Sequence, residues 1–211
     1  MLSEALSKEE AITPQDLEGD CDVYVQIPED LLRHYRNFFT LMISQFITFF
    51  ERRNEETAKP ILFLLDEFPR LGKITPITEA LATLRSKKIT ICLMIQSLKQ
   101  LEDIYGQTTS TVLADLCDFK FVLRAAEPNT QDYFSKLVGT YDEIKVTQNV
   151  SRNALWGYTT GNSTSTTHLN KRILKPEEFA ILTNPILLHA LPNNAAKTFF
   201  AVQKNPYYST K

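Results

Sequence analysis

Cysteine is scarce in this chain. Cys21, Cys92 and Cys117 are too few and too widely spaced for a disulfide framework or a zinc site, and a reducing cytosol is the simplest compartment. The three histidines, His34, His168 and His189, share no ligand spacing with one another or with a cysteine. A basic surplus is missing too. Lys and Arg number 23 against 25 Asp and Glu, giving a net charge of −2 and a pI near 6.0, so the chain lacks the global charge of many autonomous DNA binders. Any contact with DNA must come from local groups or from assembly. Long apolar runs are absent as well: the most membrane-like stretch, residues 38–50, contains Thr40, Ser44, Gln45 and Thr48 and falls short of the ~20 residues that span a bilayer. It reads as a buried helix over about 30–53, with Leu31, Tyr35, Phe38, Met42, Phe46 and Phe49 at near-helical spacing. Residues 1–20 are acidic, lack the basic start and apolar core of a signal peptide, and are expected to be poorly ordered. Ser97 follows no G-x-S-x-G pattern, which leaves a hydrolase triad without support. No G-x-x-x-x-G-K-[ST] occurs anywhere, so a phosphate-cradling loop is not encoded in these 211 residues.

What is present is half of such a site. Residues 61–67, Ile-Leu-Phe-Leu-Leu-Asp-Glu, end five apolar side chains on two adjacent carboxylates, in the manner of a Walker B element. A continuous apolar run predicts a strand buried on both faces of a parallel sheet, with its acidic end at the carboxyl edge where such sheets bind ligands. There Asp66 would hold a hydrated Mg²⁺ and Glu67 would polarise an attacking water. The alternative for an isolated strand tip is a pair of solvated acids. A Pro/Gly loop, Phe-Pro-Arg-Leu-Gly-Lys-Ile (68–74), leads into a helical segment, and a second apolar strand, 89–95, ends in Gln96-Ser97. This is a β-α-β crossover with polar groups at both tips. An acid pair beside a Gln matches the layout of RecA-like motors, in which the second residue senses the γ-phosphate or positions water.

The segments LLDEFPRLGKI, ICLMIQSLKQLEDIYG and FKFVLRAAEPNTQDYFSKLVGT, followed by Arg-Ile-Leu-Lys-Pro-Glu-Glu-Phe at 172–179, closely resemble the carboxyl-terminal half of VirD4/TraG-type coupling proteins, the DNA-pumping ATPases of conjugation and type IV secretion. The resemblance runs from about residue 21 to 207. It implies a RecA-like P-loop NTPase fold of α/β class, with Asp66 as the Walker B aspartate, Glu67 as the catalytic carboxylate, Gln96 as the motif III glutamine and Arg85 as an arginine finger. It also implies ATP and Mg²⁺ as cofactors in the complete protein. The implied partners are single-stranded DNA, the relaxosome with its relaxase and the secretion-channel components, in a homo-hexamer at the cytoplasmic face of the inner membrane. The departure is at the front: family members begin with membrane-spanning helices and a Walker A strand, whereas this chain begins Met-Leu-Ser-Glu-Ala-Leu.

Length and a composition 43% hydrophobic and 23% charged suit one globular domain better than two. Residues 22–27 read as a first strand stopped by Pro28, which the apolar helix would connect to the Walker B strand as another βαβ unit. Helices follow at 98–105 and 111–116, then a strand at 119–123 ending in Arg124, and a helix that starts at Pro128 and stops at Gly139. These elements predict a mainly parallel sheet with helices on both faces. Arg124 has two readings, a second phosphate sensor or an ordinary ion pair with Glu127 or Asp118. Residues 145–172, rich in Thr, Ser and Asn, break the pattern and read as a β-ribbon or flexible insertion. They are either a solvated loop or a channel-facing ribbon whose Trp156 and Tyr158 stack on single-stranded DNA bases. A helix start at Pro176 and strands within 186–191 and 198–202 close the chain.

Arg85, just before the Gln96 strand, is expected at the opposite edge of the sheet from Asp66, where it would serve a neighbouring subunit of a ring. The alternative is a charged helix end favoured by the helix dipole. Besides the coupling ATPase, two further functions fit the sequence. One is a non-catalytic truncated or separate subunit that binds substrates or partners; the other is a related hexameric DNA translocase outside secretion.

Overall fold

A computed structural model describes residues 12–152, 159–189 and 198–203. Where length predicts one domain, the contacts divide the chain into two compact units, Met1–Cys117 and Asp118–Lys211.

The first unit is built around helix α1, Glu29–Glu51, whose first turn carries Glu29 and Asp30, acids that favour the positive end of a helix. Its buried stripe is Phe39, Ile43, Ile47 and Phe50, one residue on from the predicted face. Met42, Phe46 and Phe49 pack at the margin of the core, and Phe38 remains 38% exposed. Two adjacent apolar stripes share this helix, and periodicity alone cannot choose between them. Strand β1, Ile61–Leu65, lies parallel to β2, Ile89–Leu93, with Ile61 opposite Ile89 and Leu65 opposite Leu93. The crossover between them is helix α2, Ile77–Thr83. After β2 come α3, Leu98–Tyr105, and α4, Gln107–Leu116. Ile43, Ile47, Phe50, Ile61, Phe68, Ile74, Ile77, Leu84, Ile89 and Leu101 form one core. A 3₁₀ turn at Pro14–Glu18 adds Leu17 to its margin.

Two expectations about this unit fail. Residues 22–27 form no strand, because an extended segment becomes one only with a hydrogen-bonded neighbour, and none pairs with it among the described residues. The βαβ unit through α1 is therefore not made. Nor is β1 buried on both faces: Ile61, Phe63 and Leu65 face the core, while Leu62 and Leu64 are 61% and 58% exposed. One helical layer covers one side of the β1–β2 pair, and the apolar run reports the other side without supplying its cover. Exposed strand edges and apolar patches promote association. The isolated chain is therefore expected to self-associate, and Leu62→Glu with Leu64→Lys to reduce that association. A monodisperse monomer over a wide concentration range in sedimentation would contradict this.

In the second unit, β3, Phe119–Val122, runs antiparallel to β6, Ile186–His189, which in turn pairs antiparallel with β7, Thr198–Ala201. Thus β3 does not extend the parallel pair as expected; its partner lies more than sixty residues downstream, beyond the reach of local pattern. Helix α5, Pro128–Val138, starts on Glu127, whose carboxylate accepts from the N–H groups of Asn129 and Thr130 at 2.9 and 2.7 Å, and ends at Gly139 with φ 104°. Val122, Ala125, Val138, Phe179, Ile186 and Leu188 form its core. The stretch read as a ribbon or flexible insertion from residue 145 forms, among the described residues, a long antiparallel pair that begins five residues earlier: β4, Thr140–Arg152, and β5, Thr159–Arg172. Arg172 anchors its base, reaching the Ser135 hydroxyl at 3.1 Å and Asp132 at 3.2 Å on α5. A short 3₁₀ turn, Pro176–Ala180, follows.

Candidate functional site

The carboxyl edge of β1–β2 gathers the sequence-predicted acids and glutamine. Asp66 directly follows the Leu65–Leu93 pair, and the ladder continues beyond it with Met94 N–H donating to the Leu65 carbonyl at 3.0 Å and Phe68 N–H to the Met94 carbonyl at 2.9 Å. Asp66 is exposed, and its Oδ1 accepts from the Glu67 N–H at 2.8 Å. Glu67 holds a left-handed backbone, φ 43° and ψ 44°, a conformation that costs a non-glycine residue on the order of 1 kcal/mol. This turns the chain from strand into the 3₁₀ turn Phe68–Leu71. Gln96 stands at the same end, exposed; its N–H donates to Gln100 Oε1 at 3.3 Å, and its own Oε1 accepts from Gln100 Nε2 at 3.4 Å. Lys99, in the first turn of α3, pairs with Glu102 and Asp103.

Three contributors escaped the sequence reading. Arg70 donates through one terminal nitrogen to Glu67 Oε2 at 2.5 Å and through the other to Glu29 Oε1 at 2.8 Å. The hydrogen bond it donates to Glu67, then that to Glu29, raises its guanidinium above the ordinary value. Its i,i+3 spacing from Glu67 was visible in the sequence; Glu29, 41 positions before it, carried no signal.

Tyr105 is the third, at the end of α3. Its buried hydroxyl accepts from Ile74 N–H at 3.0 Å and donates to the Gly72 carbonyl at 3.3 Å, while its ring stacks on Phe68 at 5.7 Å. It thereby clamps the loop that leaves Glu67. At Gly72, φ is 88° and a Cβ would fall 2.6 Å from Arg36 Cδ, so only glycine suits that bend. Tyr105→Phe leaves a buried N–H without its acceptor, and a loss of about 1–3 kcal/mol in denaturant unfolding is expected. Burial is the main cause that pushes the Tyr105 hydroxyl above its ordinary value. A raised value means that stability is full below the unfolded-state value and falls as pH rises through about 10 toward the folded value. Tyr105→Phe should lack this alkaline component.

The remaining predicted residues lie elsewhere. Arg85 is exposed in the turn that ends at Lys88, whose carbonyl accepts from Ile61 N–H at 3.1 Å. It is therefore at the amino end of the strand pair, about 13 Å of strand from the acids. Arg124 belongs to the second unit, where its Nε donates to the Ala180 carbonyl at 2.5 Å. Trp156 and Tyr158 lie outside the described residues.

Among the described residues no cluster of three or more His, Cys, Asp or Glu could hold a metal. A protein-only metal cage is thus not formed, but Mg²⁺ is commonly held through one or two carboxylates together with phosphate and water oxygens. The exposed Asp66 fits that mode. No helix of the described residues is long and apolar enough to cross a membrane.

The parallel β1–β2 crossover, with two acids and a glutamine at its carboxyl edge, is a portion of a RecA-like α/β fold, and solved structures agree. The plasmid coupling protein TrwB in complex with ADP and Mg²⁺ superimposes with a TM-score of 0.70 at 17% identity, covering 95% of this chain and 45% of TrwB. TrwB with the ATP analogue ADPNP gives 0.69 at 18% identity, covering 92% and 43%. Residues 60–184 match the family described as "TraM recognition site of TraD and TraG", and the chain belongs to it. It is 28% identical over 121 residues to the protein VirD4 of Agrobacterium fabrum, an alignment spanning 56% of this chain and 18% of VirD4. Against the coupling protein TraD of Escherichia coli K12 it is 27% identical over 100 residues, 47% of this chain and 14% of TraD. It is likewise 28% identical over 126 residues to the conjugal transfer protein TraG of Rhizobium radiobacter. The chain spans less than a fifth of the length of these relatives.

Proposed function

We propose that this chain is part of a coupling-protein ATPase that drives single-stranded DNA, with attached protein, into a type IV secretion channel at the inner membrane. The observation that carries this reading is the meeting of Asp66, Glu67 and Gln96 at one edge of a parallel strand pair, in a chain belonging to the TraD/TraG family. Bound Mg²⁺ and ATP would supply the phosphoryl group and neutralise its charge. Asp66 would ligate the ion, Glu67 would orient and deprotonate a water, and Gln96 would sense the γ-phosphate. Phosphoryl transfer is chiefly a matter of positioning and charge stabilisation, which is what such a donor set offers. In this reading Arg85 acts across a hexameric ring, Arg124 is a second phosphate contact, and Trp156 and Tyr158 of the ribbon stack on DNA bases. ATP turnover by the full-length protein that survives Asp66→Asn would overturn it.

A second reading is favoured by the family's description as a TraM recognition site together with the lack of a phosphate loop in these residues. Here the chain is a non-catalytic module that binds a relaxosome component of TraM type. Titration of the chain with such a partner separates the two: saturable binding unaffected by Asp66→Asn supports the module. A DNA translocase outside secretion would turn over ATP with DNA but bind no such partner.

A further inference from the structure

We propose that Arg70 is a positioning residue for Glu67, with Glu29 as its anchor; this rests on the reading of Glu67 as the acid that handles water. The Arg70 guanidinium bridges two carboxylates, Glu67 at 2.5 Å and Glu29 at 2.8 Å, using a separate terminal nitrogen for each. The backbone repeats the link, since Arg70 N–H donates to the Glu67 carbonyl at 2.8 Å. Glu67 is thus held at both main chain and side chain.

The triad does little for stability. Its members are 40%, 42% and 78% exposed for Arg70, Glu67 and Glu29, and exposed ion pairs contribute little. Its consequence is geometric instead. Glu67 sits in a left-handed backbone conformation that needs its surroundings to hold it, and such strain gathers where a side chain must be aimed. Arg70 engages Oε2 and leaves Oε1 outside the ion pair. Glu29 lies in the first turn of α1, so the direction of the acid is set by a helix whose stripe Phe39–Phe50 is fixed in the core. The planar fork of arginine spans two carboxylates at once; a lysine point charge satisfies one at a time.

Two measurements test this, one of them independent of catalysis. In the 211-residue chain, arginine-selective ¹⁵N NMR should show Arg70 with slowed guanidinium rotation, and both Glu67→Gln and Glu29→Gln should restore the rapid averaging of an exposed arginine. Rapid averaging in the parent chain would overturn the proposal. In the full-length protein, Arg70→Gln should lower kcat by up to about 100-fold, the scale for a misplacement of about 1 Å, with KM for ATP and the melting temperature unchanged. Arg70→Lys should recover part of the loss, and Glu29→Gln should lose less than Arg70→Gln. Wild-type kcat in Arg70→Gln, alongside an inactive Glu67→Gln, would overturn the positioning role and leave the ATPase reading intact. Full turnover in Glu67→Gln would remove that reading instead, while the NMR result would still decide whether the triad exists.

Discussion

In the full-length protein, Glu67→Gln is expected to bind nucleotide as the parent does and to lose at least ~10²-fold in turnover, the scale for removing a positioned acid-base group. The amide keeps the size of the side chain, and the exposed ion pair it weakens contributes little to stability, so the loss reads function rather than folding. Asp66→Asn should differ in kind. Its defect should be relieved in part by raised Mg²⁺ concentration, because in the proposed site the oxygen it weakens would ligate the metal rather than act as a base. The 211-residue chain alone should show no turnover at the family's rate, since no G-x-x-x-x-G-K-[ST] is present to organise the phosphates. Turnover by the chain alone that vanishes in Asp66→Asn or Glu67→Gln would contradict this. Fluorescent-nucleotide binding measured beside phosphate release separates these cases.

Mixing full-length subunits that carry Arg85→Ala with subunits that carry Asp66→Asn is expected to restore ATPase activity that neither variant has alone. Arg85 and Asp66 sit at opposite ends of the β1–β2 pair, so an arginine at the amino end is badly placed for the nucleotide of its own subunit. In a mixed ring, some interfaces would place an intact Asp66 against an intact Arg85. Fingers supplied in trans contribute on the order of 10³-fold or more to rate, so a minority of repaired interfaces should stand clear of background. A mixture as inactive as its parents, with mixed rings shown to form, would mean that Arg85 acts within its own subunit or that firing requires an intact ring. Normal turnover in full-length Arg85→Ala would return this residue to a charged helix end.

The sequence by itself determined the local grammar of this protein. The apolar run 61–65 before Asp66-Glu67, the second run before Gln96, and Pro128 and Gly139 bounding α5 all stand where pattern and punctuation put them. Each is specified within a window of a few residues, by alternation, by helical period, or by a proline or glycine at a terminus. The end of the sheet at which the acids and the glutamine meet followed from the same logic, because parallel strands must point the same way.

Tertiary structure alone decided the rest. Which stripe of α1 is buried, that β3 pairs with β6 rather than with the parallel strands, and that Leu62 and Leu64 stay uncovered all depend on partners distant in the chain. Arg70 could be seen three positions after Glu67, but its second arm needs Glu29 and its loop needs the Tyr105 hydroxyl, 31 residues beyond Ile74. The left-handed turn at Glu67 has no marker in the residue type, since glycine, not glutamate, ordinarily announces that conformation. Composition and period describe a segment's own surface, whereas a pairing distant in sequence exists only once both segments have been brought together.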